Sequence, residues 1–259
     1  MSFLQPQALQ GILNVTVESL AGHCGLSNDQ SNHDIEDSIR VARLKQQLGI
    51  LQSRPRAASD KIYYEFAANH LPALMNTYRQ KSTAANFAMT MLNVVSHTAY
   101  FIRFQRSVAG SDLASLLASR IANAEADPDV EVIGEMCQFL STLFVLQGAT
   151  SVNEADRAKL VPKLRRWNRA YTGYLASDTS ERCLGALTGD FMFQQMSRSI
   201  KTMLEQPLDQ CGANCNRRVR SNASELLQCS RCKTAVYCGV PHQKQAWATH
   251  KALCFPPTF

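Results

Sequence analysis

The sequence predicts a mainly α-helical protein that ends in a small module rich in cysteine and histidine. From about residue 34 to residue 204, apolar residues recur at intervals of three and four, the period of an amphipathic helix. The alternation typical of strands is missing from this stretch. Six of the nine cysteines crowd into residues 211–254. We therefore expect a helical domain over residues 1–205 and a separate module over residues 211–254.

Seven helices follow from the apolar period and from the residues that begin or break each segment. They are predicted over residues 34–51 with Asp34 as N-cap, 60–79 with a kink or division at Pro72, 83–108, 111–121 capped by Ser111, 130–147, 153–175 capped by Asn153, and 178–204 opened by Asp178. Residues 83–108 are the most apolar, so we expect them at the centre. Residues 9–20 could form one more helix, residues 27–32 resemble a polar loop, and residues 205–208 join the two units. Short connections favour an antiparallel bundle or an irregular armadillo- or HEAT-like array.

The N-terminus and the apolar windows argue against secretion and against a membrane span. The first residues have no basic start, apolar run or cleavage site. The most apolar window, residues 84–102, is interrupted by polar side chains. Clustered cysteines in a reducing compartment indicate metal binding. We therefore predict an intracellular protein, in the nucleus or the cytoplasm, without membrane contact.

The module contains eight candidate metal ligands, enough for two zinc ions. They are Cys211, Cys215, Cys229, Cys232, Cys238, His242, His250 and Cys254. Two full sets of four leave no open position for water, which is typical of structural zinc. A segment this short buries little apolar surface, whereas zinc supplies on the order of 10 kcal/mol to such modules. Spacing alone leaves open whether the ligand pairs combine in sequential or in interleaved order.

The run from Cys229 to Gly239, followed by Gln243, Trp247, His250-Lys251 and Cys254, resembles the MYND-type zinc finger. The resemblance covers residues 211–254 and implies an interleaved arrangement. One zinc ion would be held by Cys211, Cys215, Cys238 and His242, and the other by Cys229, Cys232, His250 and Cys254. The chain departs from the family pattern at His242, where Cys is usual, and in the three residues between Cys211 and Cys215, where two are usual.

The resemblance also implies a function, because MYND fingers are protein-interaction modules that take proline-containing peptides. Gln243 and Trp247 match the positions that line the peptide groove; the alternative for Trp247 is that it caps the small core of the finger. We predict a zinc-binding adaptor without enzymatic activity. Its helical domain docks one partner or self-associates, and its finger recruits another partner. A role in transcriptional regulation rests on family analogy alone.

Two other functions compete with this reading. The net charge of +6 is concentrated near the C-terminus, where residues 211–259 hold seven Lys and Arg against the single acid Glu225, and basic patches attract nucleic acid. No aromatic residues interleave with these charges for base stacking. Some MYND fingers belong to lysine methyltransferases, but residues 1–205 contain no strand-rich catalytic domain, glycine-rich cofactor loop or nucleophile motif.

Overall fold

The computed structural model describes residues 14–26, 36–213, 215 and 226–259. Within these ranges it contains eleven α-helices, one 3-10 helix and a two-stranded antiparallel sheet, so the predicted mainly α fold is confirmed. The elements are α1 Val17–His23, α2 Asp37–Gln52, α3 Arg56–Gln80, α4 Phe87–Val95, α5 Ala99–Gln105, α6 Leu113–Asn123, α7 Val130–Gln147, α8 Glu154–Ala170, α9 Leu175–Thr188, α10 Phe191–Asp209, β1 Leu227–Gln228, β2 Val236–Tyr237, α11 Val240–His250 and the 3-10 helix Lys251–Leu253.

Several helix starts differ from the sequence expectation. Asp34 and the loop at residues 27–32 lie outside the described residues, and α2 begins at Asp37 after Glu36. Before α6 the N-cap position is Asp112 and not Ser111, whose hydroxyl donates to Val108 O. Asn153 does cap α8, its side chain accepting a hydrogen bond from the Asp156 N–H. Of residues 9–20, only the described part from residue 14 can be assessed, and there α1 starts at Val17.

The apolar segment 83–108 forms two helices, and its prediction as one helix was wrong. Thr98 separates α4 from α5 and caps α5 by accepting a hydrogen bond from the Phe101 N–H at 3.2 Å. The break escapes a periodicity argument because nearly every residue here is buried, so apolar side chains occur on all sides of both helices. The expected central position is confirmed by that burial.

The last predicted helices also have different boundaries. α8 ends at Ala170, and α9 begins at Leu175, three residues before Asp178. α9 then ends at Thr188 and is capped by Gly189, whose φ of +74° is a left-handed conformation that glycine adopts without steric cost. α10 continues through Pro207 to Asp209, so residues 205–208 are helical and do not form a linker. The division into residues 1–205 and 211–254 stays a prediction, and a helix runs across its boundary.

Pro72 lies inside α3 without dividing it, contrary to one of the two expectations for that residue. Proline has no N–H, so the carbonyl of Ala68, four residues earlier, loses its partner within the helix. Thr258, near the C-terminus, fills this position: its N–H donates to Ala68 O at 3.0 Å, and its hydroxyl donates to Asn69 O at 3.2 Å. The proline thus creates an attachment point for the residues that follow the cysteine-rich module.

One apolar core extends through the helices. α9 packs against both α7 and α8, with Phe139 and Trp167 among the largest buried side chains. Of the described helices, α7 alone has the length and hydropathy of a membrane span, and 56% of that window is buried inside the protein. This burial is typical of a core helix. The core also reaches residues of the C-terminal module, including Cys232 and Tyr237.

Candidate metal centres

The module is built from the β1–β2 hairpin followed by α11. β1 and β2 pair with Leu227 opposite Tyr237, and the turn between them carries Cys229 and Cys232. Lys233 has a φ of +58°, a left-handed conformation that is uncommon for a residue with a side chain. This turn lets the Thr234 N–H approach the Cys232 sulfur at 3.5 Å, as in a tight metal-binding knuckle. The pair Cys229 and Cys232 can therefore hold one ion from a single turn.

The first cluster lies where α10, β2 and α11 meet. Cys211 follows α10 and is placed beside β2 by the hydrogen bond from the Gly212 N–H to Val236 O at 2.9 Å. The Cys211 sulfur lies 3.4 Å from His242 Nδ1, and the sulfurs of Cys215 and Cys238 are 3.2 Å apart. Cys211 is buried and the other three ligands are half-buried. Four potential ligands therefore converge at the surface of the module.

The second cluster is more deeply placed. The sulfurs of Cys229 and Cys254 are 3.8 Å apart, and the Cys232 sulfur lies 3.5 Å from His250 Nε2. All three cysteines of this cluster are buried, at 2% exposure or less. His250 closes α11, while His242 lies in its first turn, so this one helix connects the two clusters. Pro241 is tolerated at its start because no helical N–H is needed there.

Both clusters have the dimensions of a zinc site. Zinc bonds of about 2.3 Å to sulfur and about 2.0 Å to nitrogen, in a tetrahedron, require neighbouring sulfurs about 3.8 Å apart and sulfur and nitrogen about 3.5 Å apart. The observed separations are 3.2–3.8 Å, and all ligand atoms within each cluster lie within 4.8 Å of one another. Each cluster can hold one zinc ion, which matches the prediction of two structural ions. The grouping is the interleaved one that the resemblance implies.

The environments of the thiols separate their pKa values. In the first cluster the hydrogen bond with Cys215 raises the pKa of Cys238 to about 12. In the second, burial together with the negative charge of Cys232 raises the pKa of Cys254 to about 12. The pKa of Cys232 is lowered: burial opposes this, but the Thr234 donors outweigh it. Zinc supplies the positive charge that stabilises the thiolates.

The residues that follow the second cluster attach the module to the helices. The Phe255 N–H donates to the Tyr100 hydroxyl of α5 at 2.7 Å, and that hydroxyl donates to one of two carbonyls, Phe255 O at 2.8 Å or Leu253 O at 3.1 Å. Just before the module, Arg106 binds both carboxylate oxygens of Asp209, the last residue of α10, at 2.8 and 3.0 Å, and so fixes the end of that helix. Sequence reasoning missed these contacts. The one related signal in the sequence is Pro72, which leaves the Ala68 carbonyl without a helical partner and available to Thr258.

The two predicted peptide-binding residues lie one turn apart on α11, so they share a face of that helix. Trp247 is 42% exposed, and its ring lies 5.8 Å from the His250 ring, between centroids. Gln243 is half-buried, and its side-chain amide makes no hydrogen bond to another described residue. The indole of Trp247, beside a ligand of the second metal cluster, and the amide of Gln243, beside a ligand of the first, are thus available on this helix. Gln243 directly follows the ligand His242 in the sequence.

The basic residues that motivated nucleic-acid binding are only partly described. Arg217, Arg218 and Arg220 lie outside the described residues. The others are Arg231, Lys233, Lys244 and Lys251. Lys233 is half-buried and the other three are exposed. No aromatic side chain of the finger lies in ring contact with any of these four in the described structure.

Comparison with known proteins gives a match for one segment. A family model described as the MYND finger matches residues 211–254. This range begins and ends at Cys211 and Cys254, the first and last of the eight clustered ligands. Searches of curated proteins and of solved structures returned no match for the chain.

Proposed function

Because residues 211–254 form a MYND finger with two metal sites, we propose that this segment recruits a partner protein by binding a short proline-containing peptide. The observation that carries the proposal is the exposure of Trp247. A small zinc-stabilised module can seldom spare a large aromatic side chain from its core, yet 42% of this one faces solvent. Aromatic surfaces of this kind are typical anchors for binding.

The two readings of Trp247 are compatible with its position. Its ring contacts the ring of the metal ligand His250, which supports a capping role on the inner side. Its outer side remains free to pack against a proline ring. Gln243, one turn earlier, can hydrogen-bond the extended backbone of the same peptide. Val240, 53% exposed at the start of the helix, adds apolar surface to this end of the finger.

The wider role of the chain is an adaptor. The Tyr100 hydroxyl of the helical region is within hydrogen-bonding distance of Leu253 O and Phe255 O at the end of the finger, so a partner bound to the finger is held close to the helices. Participation in transcriptional regulation rests on analogy with other MYND proteins. The proposal assigns no catalytic activity to the chain, and it assumes an intracellular location.

A fluorescence titration of the full zinc-loaded chain with a proline-rich peptide tests the proposal. The protein has two tryptophans, and Trp167 is buried at 2% exposure, so a change in emission reports on Trp247. We expect saturable binding, and Gln243→Ala should weaken it at least tenfold, or about 1.4 kcal/mol. Gln245→Ala is the matched control, since it removes an exposed glutamine from the same helix. Calorimetry with Trp247→Ala should give the same loss.

The competing function is an outcome of the same experiment. Duplex and single-stranded DNA are titrated in parallel at low and at physiological salt. Binding of DNA that falls steeply with salt, without binding of the peptide, would replace protein recognition by nucleic-acid recognition. Peptide binding unchanged by Gln243→Ala and Trp247→Ala would place the peptide elsewhere and overturn the proposal.

A further inference from the structure

The outer face of α10 carries an apolar stripe that no described residue covers. None of the 19 residues of this helix is buried. Met192, Met196 and Met203 are 70%, 50% and 62% exposed, and Phe191 at the start of the helix is 66% exposed. The exposed face of a helix on a monomeric protein is usually polar and charged. A row of methionines is instead typical of a surface that binds.

Three of the four charged side chains of α10 bind other residues of the helical region. Lys201 donates to Leu146 O at 2.7 Å, and Glu205 and Asp209 both pair with Arg106. Arg198 is the remaining charged residue of the helix. The positions beside the stripe, such as Gln195 and Thr202, are uncharged. A face with almost no charge meets no electrostatic repulsion from a second identical face.

The spacing of the stripe is that of a coiled-coil seam. Met192, Met196, Ser199 and Met203 follow one another at intervals of four, three and four residues. This is the alternation of the two apolar positions in a heptad repeat. The pattern is also symmetric about the point midway between Met196 and Ser199. When a second copy runs antiparallel, Met192 lies opposite its Met203, and Met196 lies opposite its Ser199.

We propose that two copies of this chain associate through α10, antiparallel, about a twofold axis that passes near residues 197 and 198. Self-complementary contact of one patch with itself is the usual form of a homodimer interface. The stripe defined by Met192, Met196, Ser199 and Met203 supplies its centre. This inference concerns the helical region and does not depend on peptide binding by the finger.

A groove beside the stripe provides room for the second helix. A cavity of about 780 Å³ lies between α9 and α10, and its lining includes Leu184, Gly185 and the charged Glu181 and Arg182 on one side and Met192 and Met196 on the other. Gly185 permits this close approach, because a Cβ there would lie 2.9 Å from the Phe193 Cβ. Methionines of a second copy can insert beside their counterparts in this groove, as flexible side chains that adapt to an irregular gap.

The available area suits a reversible dimer. Large apolar side chains bury on the order of 150–200 Å² each, so Phe191 and the three methionines at their observed exposure offer roughly 370–500 Å². The polar positions on the flanks bring each copy toward the about 800 Å² per partner of a standard interface. An interface of this limited area favours reversible association over a permanent dimer.

Sedimentation velocity of the full zinc-loaded chain over a concentration series tests the interface. We expect reversible dimerisation, with a dissociation constant raised at least tenfold by Met196→Glu. Val108→Glu is the matched control, since Val108 is 94% exposed and lies outside α10; it should leave the constant unchanged. Met203→Glu provides an independent variant if Met196→Glu lowers the thermal midpoint. A wild-type chain that stays monomeric at high micromolar concentration, or a dimer insensitive to both methionine variants, overturns the proposal.

Crosslinking with a short bismaleimide tests the antiparallel register. Ser199→Cys lies near the axis and should crosslink to its own copy, above the background of the unmodified chain. Met192→Cys should not crosslink to itself, because eleven residues of helix separate it from its copy along the axis, about 16 Å. A mixture of Met192→Cys and Met203→Cys should crosslink. Self-crosslinking of Met192→Cys would indicate parallel helices. If α10 binds a different protein instead of a second copy, none of the variants should crosslink. Either result overturns the proposal.

Discussion

The helical region and the finger are stabilised by different interactions. The helices bury large side chains such as Phe139, Leu140 and Trp167 at 2% exposure or less. In the finger, the buried apolar side chains other than cysteine are Val236, Tyr237 and Ala246 among the described residues. Eight ligands take the place of a core there. The comparison shows that one chain can depend on apolar burial in one part and on metal coordination in another.

Removal of zinc should have the largest effect and should separate the two regions. Chelation removes on the order of 10 kcal/mol of stabilisation from a module of this kind. We expect amide hydrogens of residues 226–254 to exchange without protection, while those of α7 stay protected. Hydrogen exchange followed by mass spectrometry measures both in one sample. Simultaneous loss of protection in α7 would show that the two regions unfold as one unit.

Single ligand substitutions should distinguish the two metal centres. Cys232→Ser removes a fully buried ligand from the second cluster, next to the attachment at Tyr100, and should leave the finger unfolded. Cys238→Ser acts on the half-buried first cluster and should reduce the zinc content from two ions to one. Native mass spectrometry counts the ions. Cys183→Ser, at a buried cysteine outside the finger, should retain both zinc ions.

A core substitution should affect the helices and leave the metal in place. Phe139 is fully buried, and its ring lies 6.1 Å from that of Phe101. Phe139→Ala should lower the free energy of unfolding by about 3–5 kcal/mol, because it leaves a cavity. Urea denaturation followed by circular dichroism measures the loss. Val108→Ala, at an exposed position, should change it by less than about 0.5 kcal/mol. Loss of zinc from the Phe139→Ala protein would contradict the separation of the two regions.

Removal of the Tyr100 hydroxyl should have the smallest effect, confined to the attachment between the regions. Tyr100→Phe leaves the Phe255 N–H without its partner, which costs about 1–2 kcal/mol. The Tyr100→Phe protein should therefore transfer zinc to a chromophoric chelator faster than the unmodified chain does. Burial raises the pKa of Tyr100, so the hydroxyl stays protonated up to about pH 9. The ratio of the zinc-transfer rates of Tyr100→Phe and the unmodified chain should therefore be constant from neutral pH to about pH 9. Tyr174→Phe, at an exposed tyrosine, should leave the transfer rate unchanged.

The sequence was sufficient for the metal ligands because their chemistry is local. Short spacings such as that of Cys229 and Cys232 indicate metal binding wherever the rest of the chain lies. Helix boundaries were less accessible, since the break at Thr98 depends on a side-chain cap within a wholly buried segment. Likewise, Pro207 remains inside α10 although proline usually marks an end. Contacts across the chain, such as Thr258 with Ala68, leave no local pattern at all.

The short connection between the end of α10 at Asp209 and the ligand Cys211 determines how the fingers of two associated copies would be placed. An antiparallel pair of these helices places the two copies of Asp209 at opposite ends, about 35 Å apart along the axis. Each finger then projects from its own end. A binding protein with two recognition motifs and a linker long enough to span them would gain avidity from a raised effective concentration at the second site. A binding protein with a single recognition motif would gain no avidity from the pair of fingers.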